Sequence, residues 1–303
     1  LPAYLSYRYV EVPIRRSTRF IGRGMLGVAL AAVLIPGMAT TVLAVGSRSG
    51  WGLDWPVGAH VVVQSGCDHG RFDPDGCTWN VDDPRGVVLL AGDSQSWAVA
   101  DGLIAAAGQL GYSTTVASLN GCSFVLPAGA EELNDKAVAC GVFRRAVLDH
   151  ATLTGPAIVV ISNWSVGYVR DTPDSRDLWE TGLAGVLGPL EAIGVPVIIV
   201  SSYPAGDEHS INRSLLVGPR ADRSTDAARQ RAERDWLVDL ESEIADSYGS
   251  VYLFDPYEVF CDREFCRTAE DGNEYYTDTN HLSRAGSLLL VPSLEELLAS
   301  TLG

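Results

Sequence analysis

The stretch Val87-Val88-Leu89-Leu90-Ala91-Gly92-Asp93-Ser94-Gln95-Ser96-Trp97 changes character half-way along. Five apolar residues give way to a glycine and small polar residues, and a stretch of helical character near Ser96–Leu110 follows. A short β-branched run that stops at glycine and turns helical reads as a strand feeding a helix. The alternation repeats downstream. β-Branched runs at Ser113–Ser118, Ala157–Ser162, Val195–Ser202 and Val251–Phe254 alternate with helical stretches near Glu131–Thr152, Leu178–Ile193, Asp222–Tyr248 and Arg284–Leu302. Strands alternating with helices predict an α/β domain, a doubly wound parallel sheet with helices on both faces. The third and fourth runs are nearly continuous hydrophobics, as strands buried on both sides require. Without an internal repeat or low-complexity segment, residues 85–303 read as one domain.

In an open parallel sheet, ligands bind beyond the carboxyl ends of the strands. Ser94 falls there, where the first strand becomes a helix, beside free backbone N–H groups and the positive helix end. A serine there is exposed and close to donors able to hold an oxyanion. It also suits plain helix capping, as Ser96 and Asp93 do. A second block, Asp278-Thr279-Asn280-His281-Leu282-Ser283, follows the last strand and a polar loop and precedes the terminal helix. An Asp three residues before a His can hold one ring nitrogen and leave the other for a nucleophile. A serine hydroxyl needs such an oriented base at neutral pH. Read alone, Asp-x-x-His is a common surface or capping pair. Of the five histidines, His60, His69, His150, His209 and His281, only His281 combines a near carboxylate with a strand-end position. His209 is the reserve, and His150 lies in a helical stretch.

From Val87 to the C-terminus the chain resembles the SGNH (GDSL-like) hydrolase and acyltransferase superfamily, with its flavodoxin-like sheet. Gly92-Asp93-Ser94 matches the nucleophile block, and Asp278 with His281 matches the final Asp-x-x-His block. The resemblance implies Ser94, Asp278 and His281 as catalytic residues. It implies an oxyanion hole formed by Ser94, by Gly121 in Ser118-Leu119-Asn120-Gly121-Cys122, and by Asn163 in Ile161-Ser162-Asn163-Trp164. The family's Gly-x-Asn-Asp block keeps only Asn163 here, which could simply end a strand. An α/β-hydrolase elbow, G-x-S-x-G, does not fit, because Ser96 stands where its second glycine belongs.

Residues 24–46, GMLGVALAAVLIPGMATTVLAVG, contain no charged residue. About 20 residues suffice to cross the hydrocarbon core, so a transmembrane helix is expected over 24–46. A signal peptide has a shorter apolar core and would not normally follow 20 or more residues. Arg15, Arg16, Arg19 and Arg23 precede the run, which puts residues 1–23 in the cytoplasm and the remainder outside by the positive-inside rule. The six cysteines form close pairs, Cys67/Cys77, Cys122/Cys140 and Cys261/Cys266. An even count in loop-like contexts reads as three disulfides and an oxidising compartment, with the local pairing favoured among the 15 connectivities. Zinc is the rival reading. No pair has C-x2-C spacing, and His69 near Cys67 is the one supporting histidine, so no metal is expected. Cys122–Cys140 adjoins Gly121, and either stiffens an oxyanion loop or is ordinary stapling.

The formal net charge is −16. Five arginines against one acid in residues 1–46 leave about −20 on the remainder, which argues against nucleic acid as a partner. Residues 47–84, rich in Gly, Asp, Pro and Trp, read as an extracytoplasmic linker or extension stapled by Cys67–Cys77. The chain opens at Leu1 without a methionine, in what reads as the middle of a longer segment. Leu5-Ser6-Tyr7-Arg8-Tyr9-Val10-Glu11-Val12-Pro13-Ile14-Arg15-Arg16 serves as a lipid-interface anchor on its residues alone. It also resembles the "SYRxxExPxR" ending of the acyltransferase-3 membrane domain.

Together, the two resemblances imply the C-terminal part of a fused bacterial O-acyltransferase anchored in the cell membrane through residues 24–46. An upstream acyltransferase-3-type domain of the same chain would be its partner, and an envelope polysaccharide the acceptor. The acyl group would be acetyl, ultimately from acetyl-CoA, passing through Ser94 with no bound cofactor. The alternatives are a membrane-anchored carbohydrate esterase or deacetylase and an inactive glycan-binding module.

Overall fold

A computed structural model of the chain describes Tyr4 and residues 7–12, 23–48, 60–68, 72–125, 135–206 and 223–303. It divides into two compact units, Leu1–Asp54 and Trp55–Gly303. The first contains a π-helical turn, Tyr7–Glu11, and a helix, Arg23–Arg48, that includes Pro36. The hydroxyls of Thr40 and Thr41 donate to the carbonyls of Pro36 and Gly37 within it. Among the described residues, no helix is long and apolar enough to cross a membrane. The transmembrane helix expected over 24–46 is therefore not shown.

The second unit is built on a six-stranded sheet. Its strands are β1 (Thr78–Trp79), β2 (Val87–Gly92), β3 (Ser113–Ser118), β4 (Ile158–Ser162), β5 (Val197–Val200) and β7 (Val251–Phe254). Their order is β1-β3-β2-β4-β5-β7. All neighbours are parallel except β1, which pairs antiparallel with β3. The chain leaves β2 for β3 on one side and then returns to β4 on the other. The carboxyl end of β2 is thus the topological switch point, where a crevice opens.

Strand alternation distributes β2 between two cores. Val88 and Leu90 pack with the helix Ser94–Gln109 and the C-terminal helices, whereas Leu89 and Ala91 pack with Trp179, Leu183 and Leu187 of the helix Pro173–Ala192. Every residue of β3, β4 and β5 is buried, as the continuous hydrophobic runs of β4 and β5 require.

Four features depart from the sequence expectation. The segment read as lacking periodicity supplies β1 and a short helix, Val61–Gln64. A second, antiparallel sheet joins β6 (Arg223–Asp226), β8 (Phe265–Glu270) and β9 (Asn273–Glu274). The terminal helix is two, Arg284–Leu289 and Val291–Leu302, with Pro292 in the first turn of the latter, where its missing N–H costs nothing.

The fourth concerns the cysteines. The expected pairing is present in full, as the disulfides Cys67–Cys77, Cys122–Cys140 and Cys261–Cys266. The expected loop-like setting fails at Cys140, which lies in the helix Asp135–Thr154, and at Cys266, which is the second residue of β8 and lies opposite Thr225 of β6. Strand alternation explains the difference at Cys266. Phe265 and Arg267 point outward, whereas Cys266 and Thr268 point inward and are buried. Cys266 joins the apolar cluster around Phe260 and Tyr275, and Cys261 bridges it from across the turn. This disulfide therefore fastens a strand of the smaller sheet to the core, rather than stapling a surface loop.

Candidate active site

Gly92 ends β2 against the backbone of β4, where a Cβ would sit 1.8 Å from the carbonyl oxygen of Ser162. Only glycine allows that approach, and it draws the turn after β2 beside the end of β4. Asp93 then caps the helix Ser94–Gln109, its Oδ1 accepting from the Gln95 N–H at 2.8 Å. Its Oδ2 accepts from the Trp164 N–H at 3.0 Å, tying the turn after β2 to the segment after β4. Its carbonyl accepts from the hydroxyls of Ser96 and Ser118. Burial pushes the Asp93 carboxyl up, and the N–H groups of Trp164 and Gln95 with the Tyr168 side chain oppose the rise. The turn under Ser94 is therefore fixed by one buried side chain.

Ser94 is the first residue of that helix. Its Oγ lies 2.8 Å from His281 Nε2, and His281 Nδ1 lies 2.8 Å from Asp278 Oδ2. The other oxygen of Asp278, Oδ1, accepts from the backbone N–H groups of Asn280 and His281 at 2.9 and 2.8 Å. One carboxylate thus folds its own turn and aims the imidazole. Partial burial pushes Asp278 up, but hydrogen bonds from the His281 ring and the Asn280 N–H outweigh it and hold the carboxyl below its ordinary range. The loop is tied from outside as well: Tyr203 Oη and Gln95 Nε2 both donate to the Asn280 carbonyl. Thr277 N–H donates to the His281 carbonyl at 2.9 Å, closing the turn.

Gly121 sits after β3 with φ +66°, a left-handed conformation that glycine takes without strain. The turn is held by the Cys122 N–H to the Leu119 carbonyl and by Leu119 N–H to the Gly92 carbonyl. Cys122, bonded to Cys140, follows directly. Asn163 is buried at the end of β4, and its Oδ1 accepts from the Phe124 N–H at 2.9 Å. That bond commits the oxygen of the amide, so Nδ2 is the end able to donate to an oxyanion. Ser94, Gly121 and Asn163 follow β2, β3 and β4, three adjacent strands, at one edge of the sheet.

The other histidines are elsewhere. His150 packs against Phe72 and lines a recess with Arg85, Gly86 and Val87, at the opposite end of β2. His69 and His209 lie outside the described residues. His60 is buried and faces Asp101.

Sequence reasoning missed several residues that shape this site. Asp93 reads in sequence only as a cap, and its bond to Trp164 spans 71 positions. Trp97 stacks on the His281 ring, with centroids 5.0 Å apart and planes 15° apart. Trp97 lies one turn after Ser94, and that i, i+3 spacing was the one available signal.

A doubly wound sheet with a hydrogen-bonded serine, histidine and aspartate at its carboxyl edge is the architecture of the SGNH hydrolases and acyltransferases. The family model described as "SGNH domain (fused to AT3 domains)" matches residues 65–296, and the chain belongs to that family. Among solved structures, it resembles the periplasmic domain of the lipopolysaccharide acetyltransferase of Salmonella ser. Paratyphi A. That likeness has a TM-score of 0.61 at 13% identity, covering 78% of this chain and 93% of that one. It also resembles a lipase/acylhydrolase from Enterococcus faecalis, at 15% identity and TM-score 0.43, over 71% of this chain and 95% of that one. A putative acylhydrolase from Bacteroides fragilis matches at 12% identity and TM-score 0.43, over 82% of this chain and 99% of that one. The likeness to the Salmonella domain is one of fold. No curated protein sequence matches the chain.

Proposed function

We propose that this chain is a serine-dependent O-acyltransferase that acetylates an envelope polysaccharide outside the membrane through an acyl-enzyme on Ser94. The observation that carries the proposal is the unbroken hydrogen-bond chain from Asp278 through His281 to Ser94. Ser94 Oγ attacks the acyl carbonyl as His281 Nε2 takes its proton. Asp278 accepts from Nδ1–H, which keeps Nε2 free to act as a base and stabilises the imidazolium that forms. The oxyanion is held by the Ser94 and Gly121 N–H groups and the Asn163 amide, each donor being worth about 3–4 kcal/mol of transition-state stabilisation. The leaving group takes the proton back from His281. In the second half, a sugar hydroxyl gives its proton to His281 and attacks the acyl ester, and Ser94 leaves as the hydroxyl.

Membership of a family of domains fused to AT3 domains supports transfer over hydrolysis. The reading makes an acyltransferase-3-type domain upstream in the same chain the route for acetyl groups that originate in acetyl-CoA. Three disulfides support an oxidising compartment. The membrane anchor of the proposal rests on the 23 uncharged residues 24–46 and the arginines before them. The proposal divides the chain into a cytoplasmic end at 1–23, an anchor at 24–46, an extension at 47–84 and a catalytic domain at 85–303.

One observation favours a second reading, a carbohydrate esterase: the Asp278 side chain is 48% exposed, so water reaches the edge of the site. The test is an acetyl-ester assay on the chain and on Ser94→Ala, with and without an oligosaccharide acceptor. Transfer requires acetylated oligosaccharide from the wild type and none from the variant. Release to water that ignores the acceptor would favour the esterase, and full activity in Ser94→Ala would refute both.

A further inference from the structure

His60 precedes the matched family region, 65–296, yet it reaches the residue next to the base. Its Nε2 lies 2.9 Å from the carbonyl oxygen of Leu282, the neighbour of His281, and its Nδ1 lies 2.7 Å from Asp101 Oδ2. Asp101 stands on the helix Ser94–Gln109, seven residues beyond Ser94. Its other oxygen pairs with Arg284 Nε at 3.1 Å. His60 therefore bridges the nucleophile's helix and the base's loop. The bridge is dry, with the side chains of His60 and Asp101 each 3% exposed.

The same imidazole meets Trp97 edge-on, with centroids 4.9 Å apart and planes at 62°. Trp97 in turn stacks on His281. Its indole N–H donates to Asn120 Oδ1 at 2.8 Å, and Asn120 directly precedes Gly121. Asn120 Nδ2 donates to Asp68 Oδ2, in the stapled segment that also holds His60. One indole thus touches the base, the loop of the oxyanion glycine and the extension. Ring stacking leaves an imidazole free to slide in its plane but resists tilting, and an off-axis Nε2 cannot take the Ser94 proton. Asp278 fixes the ring at one nitrogen only, so the stack restrains what that bond leaves free.

We infer that His60 and Trp97 are positioning residues, an aromatic brace that aligns His281 with Ser94 and makes His60, ahead of the matched family region, a working part of the active site. The inference rests on the serine acyl-transfer reading given above. Its role is geometric, so it acts on the rate of acylation and hardly on substrate affinity.

The test uses the full chain and two readouts: the rate at which a fluorophosphonate labels Ser94, and kcat and KM for p-nitrophenyl acetate. Trp97→Leu removes the stack and should lower labelling and kcat together by about 10- to 100-fold, with KM within about twofold. Trp97→Phe keeps a stacked ring and should stay within about threefold of the wild type. His60→Ala should lose about tenfold, and His60→Gln, whose amide can still donate to the Leu282 carbonyl, should recover most of it. Wild-type rates in folded Trp97→Leu would overturn the inference. So would equal losses in Trp97→Leu and Trp97→Phe, or a loss confined to KM. If His60→Ala does not fold, the contrast between the two Trp97 variants decides the matter. A wild-type chain that is never labelled would instead refute the acyl-transfer reading itself.

Discussion

Asp278 makes an unusual ordering of two variants a sharp test of the proposed base. Its Oδ1 accepts two backbone N–H groups, from Asn280 and His281, while its Oδ2 faces His281 Nδ1. In Asp278→Asn, the amide oxygen will stay with the two backbone donors. The NH2 group then points at Nδ1 and forces that nitrogen to accept. The ring proton moves to Nε2, which now donates towards Ser94 and cannot take its proton. Flipping the amide would restore the working tautomer but give up two hydrogen bonds, at about 1 kcal/mol each. The wrong tautomer is therefore favoured by about 2 kcal/mol, or roughly 30-fold.

Asp278→Ala imposes no tautomer. Its side-chain site is 48% exposed, so water can take over both the backbone donors and the imidazole. Removing the acid from a buried triad costs about 3 × 10⁴ in kcat, and screening at this exposed site should reduce the alanine penalty to roughly 10²–10³. Asparagine, the closer isostere, should thus be the slower enzyme by about 30-fold. Pre-steady-state bursts with p-nitrophenyl acetate would measure acylation for both variants, with circular dichroism to establish that each is folded. An Asp278→Asn burst as fast as that of Asp278→Ala would refute the reasoning, because the Oδ1 bonds would then not dictate the tautomer.

Two further outcomes concern the frame around the site. Replacing Cys122 and Cys140 by serine opens an 18-residue separation and should cost about 3 kcal/mol of stability, read as a lower midpoint in urea unfolding; an unchanged midpoint would mean that the loop is held without the bond. Burial pushes Glu241 up to about 7, against donors on Ser201, Ser165 and Trp179. Its folded pKa lies above the unfolded value, so the native state holds the extra proton and stability falls as pH rises from about 4.5 to about 7. Glu241→Gln should flatten that slope in thermal melts between pH 5 and 8, and parallel slopes in the two proteins would disprove the assignment.

What the sequence revealed and what it hid divide along the distance over which each feature is encoded. A strand buried on both faces must be apolar throughout, so β4 and β5 were visible as hydrophobic runs. Ser94 and His281 were visible for a similar reason: each stands in a short block, Gly92–Ser94 or Asp278–His281, whose bonds are local. The smaller sheet was not. β8 is Phe265–Glu270, with Arg267 and Glu270 exposed enough to pair with one another, and β9 is only two residues long, so neither shows an apolar pattern. The partner of Cys266 was legible from its five-residue spacing to Cys261, but its place in a strand was hidden with the rest of β8. β1 was hidden likewise, because two residues cannot display a period. The features that turn three residues into an aligned site were the least legible. Asp93 meets Trp164 across 71 positions, Trp97 meets Asn120 across 23, and His60 meets Asp101 across 41. Each partner alone is an ordinary cap, surface amide or buried polar residue, and only folding supplies the pairing. The Ser94 and His281 blocks carry the proposed chemistry, but alignment of the proposed base also depends on His60, which stands ahead of the matched region. Two chains with identical blocks can therefore differ widely in acylation rate if their extensions differ, and grafting the segment 60–79 between them should carry the rate with it.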